Sequence, residues 1–235
     1  MPQFMLMIHE DAASEAALAP SETRALLEQH ATYEQELRAA AAFLDGERLR
    51  PSVEGRRVSR RDRTPRVEEG PFADKALSGY FVVEAPDLDA ALELTRRCPA
   101  SPGAELEVRP LMKGRLHPDK ANRPGRVFAF AVLGSAPNEQ GWVDVMERID
   151  ASTKDGFSAE RARGGVRLEA PGRGRRVTAA GGRRAVFDGP FLESKEVIGG
   201  LFFMRMASLH EAVDWASRSE FVEHGTLEIR ELWRS

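Results

Sequence analysis

The sequence holds little that would support a disulfide, a cysteine-based metal site or a membrane span. Cys98 is the single cysteine among 235 residues, so an intrachain disulfide is impossible. No apolar run approaches the roughly 18–20 residues that a transmembrane helix needs. The N-terminus lacks the basic segment of a secretory signal. We therefore expect a cytoplasmic protein that does not enter a membrane.

A strong charge of one sign and nucleotide-binding motifs are absent too. The formal net charge is −3, so no overall field attracts nucleic acid. Arginines crowd residues 56–66, but no nucleic-acid recognition motif accompanies them, and we expect a solvated hairpin there. The sequence has no Walker loop, no dinucleotide fingerprint and no metal-ligand spacing. It therefore predicts no metal and no cofactor, and it argues against nucleic acid as a partner.

What the chain does contain is an internal repeat. Residues 46–72 align without a gap with residues 165–191, and eleven of these 27 positions are identical. Both blocks end in Gly-Pro-Phe. The period of 119 residues far exceeds that of solenoid repeats, which reach about 50 residues. We therefore predict two small domains and a polar linker between them: residues 1–111, 112–126 and 127–235.

Hydrophobic periodicity predicts the same order of elements in both copies. In the first copy, the apolar residues 4–8 and 79–83 predict strands that are covered on both faces. Apolar residues at spacings of three and four predict a helix from about Ser21 to Phe43. A second helix is expected from Asp87, and residues 106–109 alternate as in a strand. With a hairpin in the middle, this order matches the split βαβ, ferredoxin-like plan.

The second copy repeats the pattern. Its strands and helices are predicted at residues 127–133, 142–157, 201–206, 209–217 and 227–230. The two-sided strands need a second cover, because the helices of one ferredoxin-like unit cover only one face of its sheet. Met5 and Met7, for example, are as apolar as Phe4 and Leu6 on the opposite face. We expect the sheet of the other copy to supply that cover, which makes the chain an intramolecular pseudo-dimer.

The repeated motif resembles the YCII-related family, in particular its DGPF members. Asp188-Gly189-Pro190-Phe191 is the full motif, and residues 192–196 followed by Gly199-Gly200 are similar to the family's next loop. The LEVRP segment at residues 106–110 is also characteristic. This resemblance, which covers both copies, implies an α+β fold in which ferredoxin-like units pair into a dimeric α/β barrel. Since the pairing is internal here, we expect either a monomer or a further homodimer.

The resemblance implies less about function. Smaller relatives carry a His–Asp pair proposed as an acid/base dyad, with the His early in the first helix. Here that helix begins with residues 22–28 in the first copy and 139–144 in the second, and neither segment contains a His. DGPF members are often encoded beside extracytoplasmic-function sigma factors, which suggests a regulatory context. The first copy has Glu69 where the motif has Asp188, so we expect any site in the second copy.

Four candidate residues lie in or near the second motif. Asp188 precedes a Gly-Pro turn, where it can cap backbone N–H groups or serve a site. Glu193 and Lys195 follow in a loop, where they can bind a polar ligand, act as acid and base, or form a solvated pair. His224 precedes the last strand and is the best-placed candidate for a general base. Asp188 and His224 are the predicted catalytic pair.

Three further candidates are buried in the predicted fold. His30 lies on the apolar face of the first helix, where Ile149 is its counterpart, and it is either a hydrogen-bonded core residue or a ligand contact. Arg109 follows Glu107, and Arg230 follows Glu228, at a spacing of two that places each pair on one face of a strand. We favour ion pairs within or at the rim of the interface between the two sheets, with an anion site formed by both arginines as the alternative.

These observations leave two functional hypotheses. The first is a small-molecule-binding protein or weak acid/base enzyme, with a pocket between the sheet, the second motif's loop and His224. The second is a non-catalytic regulatory or interaction module.

Overall fold

The computed structural model describes residues 1–72, 75–115, 126–134, 162–180, 183–188, 197–223 and 225–233. The described part of the first copy contains six strands and three α-helices: β1 (Gln3–Glu10), α1 (Ala12–Ala17), α2 (Pro20–Ala39), β2 (Phe43–Arg48), β3 (Arg56–Arg61), β4 (Thr64–Glu69), β5 (Ala76–Glu84), α3 (Leu88–Arg97) and β6 (Glu105–Arg115). The described part of the second copy follows the same plan: β7 (Arg126–Gly134), β8 (Ala162–Leu168), β9 (Arg175–Ala180), β10 (Arg183–Asp188), β11 (Val197–Met206), α4 (Leu209–Arg218) and β12 (Thr226–Glu231). The predicted helix at residues 142–157 lies outside the described residues.

The first long helix is shorter than its periodicity predicted. It begins at Pro20, one residue before the predicted start at Ser21, and its N-cap is Ala19. It ends at Ala39 because Ala41 takes a left-handed backbone conformation, with φ of 53°, and Phe43 already starts β2. The predicted end at Phe43 is therefore wrong. The short helix α1, which the sequence analysis missed, begins where the Asp11 carboxylate accepts a hydrogen bond of 2.7 Å from the Ser14 N–H.

All strand pairs between the described residues are antiparallel, and the hairpins are exchanged between the copies. The sheet order is β2-β5-β1-β6-β8-β11-β7-β12-β3-β4, so the first copy's hairpin (β3 and β4) extends the second copy's strands. The second copy's hairpin (β9 and β10) pairs with β6 of the first copy. The structure is thus a mixed α/β fold in which each copy completes the sheet of the other.

The central strands are buried on both faces, as their continuous apolarity predicted. On the outer face of the first copy's sheet, Phe4, Leu6 and Ile8 pack with the helices and with Val177 of the exchanged hairpin. On the inner face, Met5 and Met7 belong to a core that also contains side chains of the second copy, such as Ala129 and Phe203. The second copy supplies the cover that the first copy's sheet needs.

The first Gly-Pro-Phe segment joins the hairpin to β5. A Cβ atom on Gly70 would lie 1.8 Å from the carbonyl oxygen of Ser52, so this close approach requires glycine. Phe72 is buried, and the Arg57 guanidinium lies 4.1 Å from the centre of its ring. Here the motif acts as a turn with a core anchor. Among the described residues, no helix is long and apolar enough to cross a bilayer.

Candidate functional site

Four of the predicted site residues cannot be placed in a site. His224, Glu193 and Lys195 lie outside the described residues. Asp188 ends β10 opposite Arg175, but the structure does not describe its side chain. Their roles remain predictions.

Arg109 and Glu107 form a buried group with His9, which we call the first buried group. Arg109 Nε donates to Glu107 Oε1 over 2.7 Å, and His9 Nε2 lies 3.5 Å from Glu107 Oε2. All three side chains are at least nine-tenths buried. Burial opposes the ionisation of Glu107, but the charge of Arg109 and the neighbouring His9 outweigh it and lower the pKa of this carboxyl to about 2. Glu107 is therefore an anion at neutral pH.

The second copy has an equivalent group, formed by Arg57, Glu228 and Arg230, which we call the second buried group. Arg230 Nη1 donates to Glu228 Oε1 over 3.1 Å. Arg57, from the exchanged hairpin, donates to Glu228 Oε2 through Nε over 3.0 Å and through Nη2 over 2.8 Å. Leu133 occupies the position that corresponds to His9. His9 pairs with Glu105, two residues before Glu107, and Leu133 pairs with Thr226, two residues before Glu228. This group has no titratable imidazole.

Both central arginines also bind backbone of the other copy. Arg109 Nη1 donates to the Ile198 carbonyl over 2.7 Å, and Arg230 Nε donates to the Arg50 carbonyl over 2.8 Å. Each guanidinium is thus engaged by a carboxylate of its own strand and by a carbonyl across the interface. The two same-strand ion pairs agree with the prediction of ion pairs within or at the rim of the interface, whereas the ligand-binding role of the two arginines stays a prediction.

His30 lies in a different place, in a cavity of about 240 Å³ between α2, β2 and β5. We call it the α2 cavity. Its apolar wall includes Leu26, Leu27 and Phe81, and its polar lining includes His30, Arg48, Ser78, Glu10, Glu34 and Glu47. The His30 ring stacks on Phe81, with ring centres 5.9 Å apart and planes inclined by 19°. Among the predicted site residues that the structure describes, His30 is the one that lines this cavity.

Helix α2 and strand β2 position the two nitrogen-bearing side chains of the cavity. His30 precedes Tyr33 and Leu37, which anchor α2 in the core. In β2, alternation places Gly46 and Arg48 on one face. A Cβ atom on Gly46 would lie 2.8 Å from the Phe81 ring, so the close approach of this ring favours glycine there. Burial and, to a smaller extent, the charge of Arg48 lower the pKa of His30 to about 4. The imidazole is therefore neutral at pH 7 and can donate one hydrogen bond and accept another.

Sequence reasoning found His30 but missed Arg48 and Glu10. His30 was detectable because the repeat places Ile149 at the same position. Arg48 has an arginine, Arg167, as its counterpart in the second copy, so the comparison of the two copies did not mark it as unusual. No cluster of His, Cys, Asp and Glu that could hold a metal ion occurs within the described residues.

The fold and the cavity define a mixed α/β protein with an antiparallel sheet and a small, partly polar cavity. The family model of the YCII-related domain matches residues 2–113 and 146–235. The chain therefore belongs to the YCII-related family and carries two matched segments in tandem. This agrees with the resemblance drawn from the repeated motif.

Other comparisons add little. No curated protein matches the chain. Among solved structures, a proposed chlorite dismutase is similar over 100% of this chain and 96% of its own, at 10% identity and a TM-score of 0.39. A haem-binding protein from Thermus thermophilus is similar over 99% of this chain and 91% of its own, at 11% identity and a TM-score of 0.37. Likeness at this level transfers no function.

Proposed function

We propose that this protein binds a small molecule in the α2 cavity of its first copy. The observation that carries the proposal is the lining: a neutral imidazole and a guanidinium lie beside an apolar wall in a cavity of about 240 Å³. Ligand sites combine an apolar lining with a few polar groups that orient the ligand. The sequence favoured a pocket beside the second motif. That pocket remains a separate proposal, because its residues are not among those that the structure describes.

We also propose the finer architecture: two ferredoxin-like units, residues 1–111 and 127–235, that form one intramolecular α/β barrel. The shared inner core supports it, because side chains of both copies pack there. Two junctions between the copies support it further. Strand β6 pairs with β8 on one side, and Leu49 forms a bridge with Leu232 on the other. An internal barrel of this kind leaves the chain as a monomer or as a homodimer through other surfaces.

A weak acid/base enzyme is the second candidate function. The His9–Glu107 contact of 3.5 Å favours it, because an imidazole beside a fixed carboxylate is a common acid/base arrangement. The second buried group has Leu133 at the corresponding position. A buried ion pair of this kind therefore forms without an imidazole, which favours a role for His9 other than a structural one. The regulatory or interaction module becomes the better reading if the chain binds no small molecule.

The test is a thermal-shift screen of the full chain against a metabolite library. Ligands of the α2 cavity raise the Tm of the wild-type protein, and the rise is lost in His30→Gln. The matched control is His210→Gln, since His210 is exposed on α4 with 86% of its side chain accessible. Hits that survive His30→Gln would move the site elsewhere, and a screen without hits would favour the interaction module.

A further inference from the structure

Arg48 holds a buried hydrogen-bond donor that is not satisfied within the described residues. Its Nη1 atom is buried and has no hydrogen-bond partner in the part of the chain that the structure describes. Its guanidinium carbon lies 5.2 Å from the centre of the Trp233 ring. A buried donor without a partner is costly, so an acceptor at this point would stabilise the protein.

The carboxylates around the cavity do not supply that acceptor. Glu10 accepts a hydrogen bond from the Ser101 hydroxyl. Glu34 accepts two from Arg38, including one of 2.9 Å from its Nε. Both acids are therefore engaged by other donors.

Glu47 also borders the cavity, but its side chain belongs to the face of β2 opposite that of Arg48. Alternation along the strand places Glu47 with Asp45, and Asp45 accepts a hydrogen bond of 3.1 Å from the Tyr80 hydroxyl in the inner core. Among the charged side chains around the cavity, Arg48 is thus the one whose buried donor can bind a ligand.

We infer that the ligand of the α2 cavity is a monocarboxylate with an apolar, ring-sized body, whose carboxylate binds Arg48 and His30 and whose body packs on Leu26, Leu27 and Phe81. This inference rests on the proposed function and specifies its ligand class. A guanidinium presents paired donors that match the two oxygens of a carboxylate, and the neutral His30 can add a third. The volume is sufficient, because a cavity of about 150 Å³ already accommodates benzene.

Three probes of the same size and different charge test the inference on the full chain. They are 3-phenylpropionate, 3-phenylpropanol and 3-phenylpropylamine, and their binding is measured by isothermal titration calorimetry. The NMR signals of the His30 imidazole, assigned by their loss in His30→Gln, report on binding at the cavity. We expect 3-phenylpropionate to bind at least tenfold more tightly than the alcohol, and the amine to bind most weakly. The expected tenfold or greater difference reflects charge-assisted hydrogen bonding.

Substitution of the arginine provides the second measurement. Arg48→Gln should weaken binding of 3-phenylpropionate by about tenfold or more and should leave the alcohol within about twofold. Arg96→Gln is the control, because Arg96 lies on α3 with 42% of its side chain exposed and pairs only with Glu93 among the described residues. The ranking of the three probes on the wild-type protein does not depend on how well any variant folds.

The outcomes separate this inference from the proposed function. The carboxylate assignment would be overturned by any of three results. They are equal binding of the acid and the alcohol, tighter binding of the amine, and binding of 3-phenylpropionate that Arg48→Gln leaves unchanged. Library hits that depend on His30 but carry no carboxylate would overturn it too, and in that case small-molecule binding itself would stand. If neither the library nor the three probes bind, the proposed function fails together with the inference.

Discussion

The two buried groups occupy equivalent places in the two copies, yet they differ in one partner. In each group a carboxylate of the last strand, Glu107 or Glu228, is bound by the arginine two residues further along. The other carboxylate oxygen faces His9 in the first copy and Arg57 in the second. The duplicated scaffold thus keeps the buried anion and varies the group that balances it.

A neighbouring residue accounts for the difference. Arg176 is the first copy's equivalent of Arg57, but it lies 3.6 Å from Glu105. The position of Glu105 is occupied in the second copy by Thr226, which carries no charge. Since Arg57 meets no acid at that position, it binds Glu228. In the first copy Glu105 is a second acid beside the arginine, and one oxygen of Glu107 lies 3.5 Å from His9.

The largest effect is expected when the buried anion is removed from the second group. Glu228→Gln leaves Arg57 and Arg230 close together without their counter-ion, and breaking a buried ion pair typically costs about 3–5 kcal/mol. Glu107→Gln should cost about 2 kcal/mol less, since the first group contains one arginine, Arg109, where the second contains two. Urea unfolding of both variants and the wild type measures the free energies of unfolding.

Equal losses in the two variants would contradict this view of the groups. Lys75 offers a control, because its ion pair with Glu105 spans 2.8 Å and is partly exposed. Lys75→Gln should change the free energy of unfolding by no more than about 1 kcal/mol.

Much of the fold could be predicted because it follows from local patterns. Unbroken apolar runs identified β1 and β5 as two-sided strands, and both proved to be buried on both faces. The spacing of Glu107 and Arg109 identified a charged pair on one face of a strand. The exchange of the hairpins could not be predicted, because alternation along a strand reports which face is buried and not which strand lies beside it.

The candidate site was predictable only in part. His30 differed in polarity from its counterpart Ile149, and that contrast marked it. Arg48 became a cavity residue because α2 ends at Ala39 and β2 then passes beneath it. The periodicity instead extended the helix to Phe43, which is the residue where β2 begins. A left-handed turn at Ala41 is set by tertiary packing and has no clear signal in an alanine-rich segment.

His30 should also make the stability of the chain depend on pH. Its pKa of about 4 in the folded protein lies below its ordinary value of 6.5. Between these values the unfolded chain binds a proton that the folded chain does not, so the free energy of unfolding falls as the pH falls. From pH 7 to pH 5 the wild type should lose about 1–2 kcal/mol more than His30→Gln. Urea unfolding at both pH values measures this difference.

Parallel pH profiles of wild type and His30→Gln would contradict the burial of a neutral imidazole. The groups that lie around His30 include Arg48, Glu10 and Glu34. Because the variant retains all three, their titration cancels in the comparison. His210→Gln, which removes an exposed imidazole, should follow the wild-type profile.

The smallest effect tests why the two groups differ. His9→Leu gives the first group the residue that the second group has and should cost about 1 kcal/mol, because Glu107 Oε2 loses the polar imidazole that lies 3.5 Å away. Glu105→Thr places the residue type of Thr226 in the first copy and removes the acid that lies 3.6 Å from Arg176. Arg176 lies opposite Glu107 in the β6–β9 pair, so its charge then acts on Glu107 without a competing carboxylate. In a double-mutant cycle, the pair of substitutions should therefore cost at least about 0.5 kcal/mol less than the sum of the single ones. Additive losses would mean that Glu105 does not decide which partner balances the buried anion.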